Sequence, residues 1–186
     1  METWRYFHLT HRYHRFCNPT SAERIDELGR LLGLTQEKRL LDLACGMGEV
    51  LLRWAETYGC TGVGVDLSPY AIRAARERHA ARLPDADLAW VHKDAAEFAT
   101  GKRFDVALSI GASWIWKGFE GTLSALRSLA REGGLIVSGE PYWREEPDDP
   151  DLEELRDRRR RSDESYLRWG RHCLGFALWA FRVPRR

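Results

Sequence analysis

Five short apolar runs alternate with amphipathic helical stretches between Arg39 and Ser138, and no other feature of the chain constrains its fold as tightly. The predicted strands are 39–44, 61–66, 88–92, 104–110 and 134–138, each bounded by Gly, Asp or Ser turn chemistry. Between them lie helices at 49–58, with Leu51, Trp54 and Ala55 inward, and at 69–83, with Ile72, Ala75 and His79 on one face. A later helix, about 119–131, carries Leu123, Leu126 and Leu129. Ser68-Pro69 suits a helix entrance, because Ser can cap and Pro is preset for the first helical position. Nearly continuous apolar strands separated by helices imply an α/β fold, a mostly parallel sheet covered on both faces.

The flanks extend this pattern. Residues 1–19 form an arm rich in aromatic, His and Arg side chains, and Asn18-Pro19 breaks it before a helix. Thr20-Ser21-Ala22-Glu23 has the spacing of a capping box, and Ile25, Leu28, Leu31 and Leu32 follow as one apolar face. Gly33 sits where that helix needs a left-handed terminal residue. Residues 144–165 are almost uniformly charged, acidic to Glu154 and then basic through Arg158 to Arg161, which reads as a solvated helical connection. Residues 173–183 have a strong strand pattern bounded by Gly175 and Pro184, expected to return as the antiparallel member of the sheet. With 186 residues the chain builds one substantial core, so 1–186 reads as a single domain.

A net charge of +1 points to neither nucleic acid nor an anionic membrane. No apolar run approaches the roughly 20 residues of a membrane span, and the N-terminus lacks the apolar core of a secretory signal. The expected location is the cytoplasm. The 4 cysteines are scattered without a Cys-x-x-Cys pair and read as free thiols. His8, His11 and His14 recur every third residue, yet they lack an evident fourth ligand, so no metal is expected.

The chemistry concentrates at strand ends. Leu40-Leu41-Asp42-Leu43-Ala44-Cys45-Gly46-Met47-Gly48-Glu49 runs from a strand through a turn with two close glycines directly into a helix. Gly46 and Gly48 allow close backbone approach, and the helix start presents unpaired N–H groups. Such a turn serves either a dinucleotide pyrophosphate or the carboxylate of an amino acid. Leu51 occupies the third glycine position of a dinucleotide fingerprint, which counts against a nicotinamide cofactor. Asp42 can receive a cationic amino group. Asp66, 18 residues beyond Gly48, is close to the roughly 20 expected of a ribose-binding carboxylate. Asp94, after the third strand, can bond an adenine amino group. Each of these carboxylates could instead cap a turn; three at consecutive strand ends favour a ligand site.

The series D-L-A-C-G-M-G, G-V-G-V-D-L-S, K-D-A and F-D-V-A-L-S resembles the successive motifs of class I S-adenosylmethionine (SAM)-dependent methyltransferases over residues 20–143. Gly111-Ala112-Ser113-Trp114-Ile115 and Gly139-Glu140-Pro141-Tyr142-Trp143-Arg144 resemble a bacterial subgroup of that family, as does His14-Arg15-Phe16-Cys17-Asn18-Pro19. The resemblance implies a Rossmann-like three-layer α/β/α sandwich, shortened by one of the usual seven strands, with SAM as cofactor. It places Asp42, Ala44, Gly46 and Gly48 at the methionine end, and Asp66 and Leu67 at the ribose and adenine. Asp94 and Ala95 would meet the adenine edge, and Ser109 to Gly111 and Ala112 would floor the sulfonium. Trp114, Tyr142 and Trp143 either pack or line a substrate pocket. The implied reaction is methyl transfer to an unidentified small molecule, with Glu140, Tyr142 and His14 as candidate bases. The alternative is a module that binds SAM without turnover, because the region covering the substrate is short. The Asn/Asp-Pro-Pro-Tyr signature of DNA amino-methyltransferases is absent after the fourth strand, so no nucleic-acid substrate is expected.

Overall fold

The computed structural model describes residues 3–143 and 174–185. Helices α1 (Thr3–His11) and α2 (Ala22–Leu31) precede β1 (Arg39–Leu43), α3 (Glu49–Tyr58), β2 (Thr61–Asp66), α4 (Pro69–Arg82), β3 (Leu88–His92) and β4 (Phe104–Ile110). Then come α5 (Phe119–Leu129), β5 (Ala130–Trp143) and β6 (Leu174–Arg182). The described strands form a 6-stranded sheet in the order β3-β2-β1-β4-β5-β6. β1 lies between β2 and β4, with every neighbour parallel except the antiparallel β5–β6 pair. The order reverses beside β1, which places a crevice between the loops after β1 and β4.

Alternation along the strands builds two cores. Leu40, Val106, Leu108 and Val137 point to one face, where Ile25, Leu51, Trp54 and Ile72 of α2, α3 and α4 cover them. Leu41, Leu43, Ala107 and Ile136 point to the other, where Leu126 and Leu129 of α5 pack. The result is the expected three-layer sandwich. Trp90 of β3 fixes part of the first core: a Cβ at Gly64 would meet its ring at 2.6 Å, so the glycine of β2 makes room for the indole.

Several expectations need correction. The N-cap of α2 is Ser21, whose Oγ accepts from the Arg24 N–H at 3.3 Å. Thr20 is held off the helix because its own N–H donates to the Asn18 carbonyl at 2.7 Å, and its Oγ1 is buried without a partner. Leu31 faces solvent rather than the core, and buried Leu34 follows it. β5 runs well beyond 134–138 because β6 pairs with it as far as Trp143. At its start the register slips: Phe104 pairs with Ala130 but Val106 with Leu135, and Gly133 takes a φ of 69° there. The charged connection predicted at 144–165 lies outside the described residues.

Candidate functional site

The loop after β1 is a run of left-handed turns: Ala44, Gly46 and Gly48 have φ of 61°, 54° and 76°. The Cys45 N–H donates to the Val65 carbonyl at 3.0 Å, and the Gly48 N–H to the Cys45 carbonyl at 3.0 Å. Asp66, at the tip of β2, braces the same loop. Its Oδ2 accepts from the Gly46 N–H at 2.8 Å and its Oδ1 from the Ser68 N–H at 2.8 Å. Ser68 in turn caps α4 through the Ala71 N–H at 3.2 Å.

A cavity of about 410 Å³ opens at these strand ends, within the range of small-molecule sites. Ala44, Gly46, Asp66 and Leu67 form one wall, and Asp94 and Ala95 of the turn after β3 form the next. Ile110, Gly111, Ala112 and Trp114 close it from the end of β4. The N-terminal arm supplies the remaining side with Trp4, Phe7, Cys17 and Asn18. A second cavity of about 50 Å³ adjoins it, bordered by Asp42, Met47, Glu49 and Arg15. Cys17, Asn18, Ala44, Gly46 and Ile110 line both cavities.

Most of the residues singled out from the sequence therefore converge, and some do not. Gly48 lies off the wall: a Cβ there would strike Trp90 at 2.5 Å, so this glycine serves packing. Ser109 is fully buried and lines neither cavity, its Oγ without a partner among the described residues. Glu140 accepts from the Ser113 N–H at 3.1 Å and steadies the turn that carries Trp114, without lining either cavity. Tyr142 is exposed beside Gly175, and His14, also exposed, contributes its carbonyl to Arg78 at 3.4 Å. Asp94 both lines the cavity and caps its turn, accepting from the Ala96 N–H at 2.8 Å.

The arm was read from the sequence as a polar segment, yet it carries cavity residues. Asn18 donates from Nδ2 to the Ile110 carbonyl at 2.8 Å, across 92 positions of chain. A Cβ at Gly111 would lie 2.0 Å from the Asn18 Oδ1, so this glycine, with φ 75°, admits the arm. Asn18-Pro19 was visible as a break, but nothing local announces a contact so distant in sequence. His8 stacks on Tyr70 with ring centroids 5.6 Å apart, while His11 stacks on Phe7 at 4.0 Å and meets the His14 ring edge-on at 5.3 Å. Among the described residues no group of three or more His, Cys, Asp or Glu is arranged to hold a metal.

Charge is unevenly balanced. Asp42 is buried and makes no side-chain hydrogen bond among the described residues; burial, and then the neighbouring Asp66, hold its carboxyl well above the usual range. Asp66 is also raised, chiefly by burial, against the pull of the Ser68 and Gly46 N–H groups. Burial raises the Cys17 and Cys45 thiols as well. Glu49, by contrast, is well supplied with cations: Arg82 lies 2.8 Å away, Arg78 3.6 Å and Arg15 3.9 Å. The smaller cavity is thus bordered by both a buried acid without a hydrogen-bond partner among the described residues and an arginine, Arg15.

Residues 40–134 match the family model described as a methyltransferase domain. The chain belongs to that family. This methyltransferase domain is 37% identical over 147 residues to the uncharacterized protein YjhP of Escherichia coli K12, covering 79% of this chain. It spans 59% of that relative's length. A SAM-dependent methyltransferase from Thiobacillus denitrificans, crystallised with S-adenosyl-L-homocysteine, superposes with a TM-score of 0.84 at 27% identity, with 100% of both chains covered. One from Geobacter sulfurreducens, in complex with the same ligand, gives 0.84 at 28% identity over 97% of this chain and 98% of the other. The match falls within residues 20–143, the stretch that resembles class I methyltransferases in sequence. No helix among the described residues is long and apolar enough to cross a membrane.

Proposed function

We propose that this protein is a SAM-dependent methyltransferase acting on a small-molecule acceptor in the cytoplasm. The observation that carries the reading is the pair of adjoining cavities and their opposed chemistry. The larger has the size and the two carboxylates, Asp66 and Asp94, suited to ribose and adenine. The smaller has Asp42 for an ammonium group and Arg15 for a carboxylate, a fit to the zwitterionic end of an amino acid. The residues present therefore fit SAM.

When bound, the cofactor supplies an activated methyl group on a sulfonium. The chain's own residues do the rest. Asp42 and Arg15 orient the methionine end, and Asp66 holds the ribose while bracing the Gly46 turn. Cys17, Asn18, Ala44, Gly46 and Ile110, which line both cavities, would border the cofactor between its two ends. The arm, with Trp4 and Phe7, excludes water from the alignment of acceptor, methyl and sulfur. The relatives bound to S-adenosyl-L-homocysteine support the cofactor, and the free Cys17, Cys45 and Cys60 suit a reducing compartment. A cavity of this volume suits a small acceptor better than nucleic acid.

Calorimetric titration with SAM, S-adenosylhomocysteine and NAD tests the proposal. Micromolar binding of both sulfur ligands, absent for NAD, is expected. Failure of both sulfur ligands to bind would remove it.

A further inference from the structure

Three observations at the larger cavity bear on the acceptor. First, the mouth is aromatic. Trp4 and Phe7 of α1 line the cavity together with Trp114, and Trp114 is 67% exposed. An indole left that open on a concave wall is a binding face for an apolar or cationic group. Second, the described residues lining this cavity include no Lys, Arg or His; the acids on its wall are Asp66 and Asp94. An anionic acceptor would lose its water there without gaining a cationic side chain. Third, none of the candidate bases Glu140, Tyr142 and His14 lines this cavity. Glu140 is engaged by the Ser113 N–H, while Tyr142 and His14 are exposed and line neither cavity.

We infer that Trp4, Phe7 and Trp114 form an acceptor subsite for an apolar secondary or tertiary amine. The inference rests on the methyl-transfer reading and narrows it. Hydroxyl and carbon acceptors need a positioned base to become nucleophilic, and the acids among the described lining residues, Asp66 and Asp94, are committed to the cofactor in that reading. A thiol needs conversion to thiolate, which an acidic wall without a cation opposes. A neutral amine brings its lone pair with it. In the step, that lone pair forms the N–CH₃ bond as the C–S bond breaks, and the bonding electrons stay on sulfur. The positive charge passes from sulfur to nitrogen, and a secondary amine then releases its N–H proton to solvent. Aromatic faces stabilise a cation at that nitrogen from transition state to product.

The test uses a matched benzyl series on the full chain. Cofactor binding is measured first by calorimetry, so that its failure is recognised separately. Benzyltrimethylammonium and benzoate are then titrated into protein loaded with S-adenosylhomocysteine, and methyl transfer from labelled SAM is followed to N,N-dimethylbenzylamine, benzyl mercaptan and benzyl alcohol. The ammonium is expected to bind and benzoate not to. Transfer should go to the amine and rise with pH as the neutral amine fraction grows. Trp114→Ala should weaken ammonium binding by about tenfold or more with the SAM Kd unchanged, and Trp114→Phe should restore most of it. Preference for benzoate, the thiol or the alcohol would overturn the amine assignment. So would ammonium binding indifferent to Trp114→Ala, or neither transfer nor ammonium binding in protein that binds SAM.

Discussion

Asp66 and Gly46 are joined by a 2.8 Å hydrogen bond that ties the end of β2 to the turn after β1, and the other oxygen of the same carboxylate holds the Ser68 N–H at 2.8 Å. A residue expected to hold ribose is thus also a strut of its own binding site. Asp66→Ala should lower the melting temperature as well as cofactor affinity. The loss of two charge-assisted bonds corresponds to about 1–3 kcal/mol, or a few degrees per kcal/mol for a chain of this size. Scanning calorimetry beside the ligand titration would separate the two effects, and an unchanged melting temperature would refute the bracing role.

Asp42 makes the opposite case. Its carboxyl is raised by burial and by Asp66 and has no hydrogen-bond partner among the described residues. A group whose folded pKa is raised stabilises the fold while protonated, below the ordinary carboxylate range. That contribution is lost as pH climbs through the raised folded value. Asp42→Asn should therefore melt higher than the parent at pH 8, with the advantage shrinking toward pH 4, while SAM affinity falls at least about tenfold. Melting curves across that pH range, with titrations at pH 8, check both halves.

How much of this was legible in the sequence depends on the range of the interaction. Strands at 61–66, 88–92 and 104–110 were readable because apolar runs and turn residues are local signals, and the structure has β2, β3 and β4 at those bounds. The acids at strand ends were readable for the same reason. The packing reason for Gly48 was not legible, because Trp90, which a Cβ there would strike, lies on another strand. Asn18 was passed over because its partner is 92 positions away. Glu140 looked like a free carboxylate only because a backbone N–H on a distant turn leaves no mark in sequence.

Ala44 holds a left-handed φ of 61° although it is not glycine. A Cβ in that region costs about 1 kcal/mol. Ala44→Gly should raise the melting temperature by about 2–4 °C. Thermal unfolding monitored by circular dichroism decides it, and a fall would mean that the Ala44 methyl contributes more by packing than it costs in strain.

Gly111 and Asn18 should be coupled. Gly111→Ala places a methyl 2.0 Å from the Asn18 Oδ1 and adds positive-φ strain, a loss of about 2 kcal/mol or more. Asn18→Ala removes the clash and leaves the strain. Urea denaturation of both single variants and the double variant should show the double less destabilised than the sum by about 1 kcal/mol. Additivity would mean that the arm does not press on this glycine.

The antiparallel ladder between β5 and β6 runs to the pair Trp143 and Leu174, and Glu140, which steadies the Trp114 turn, lies three residues before its end. Chain that leaves at Trp143 and re-enters at Leu174 does so across a single rung, at the cavity's end of the sheet. Such a junction is a socket. Doubling the length plugged into it costs only about 0.6 kcal/mol of closure entropy, and no strand need change register. Descendants of this scaffold can therefore exchange what lies between those two residues while inheriting the nucleotide half of the molecule intact.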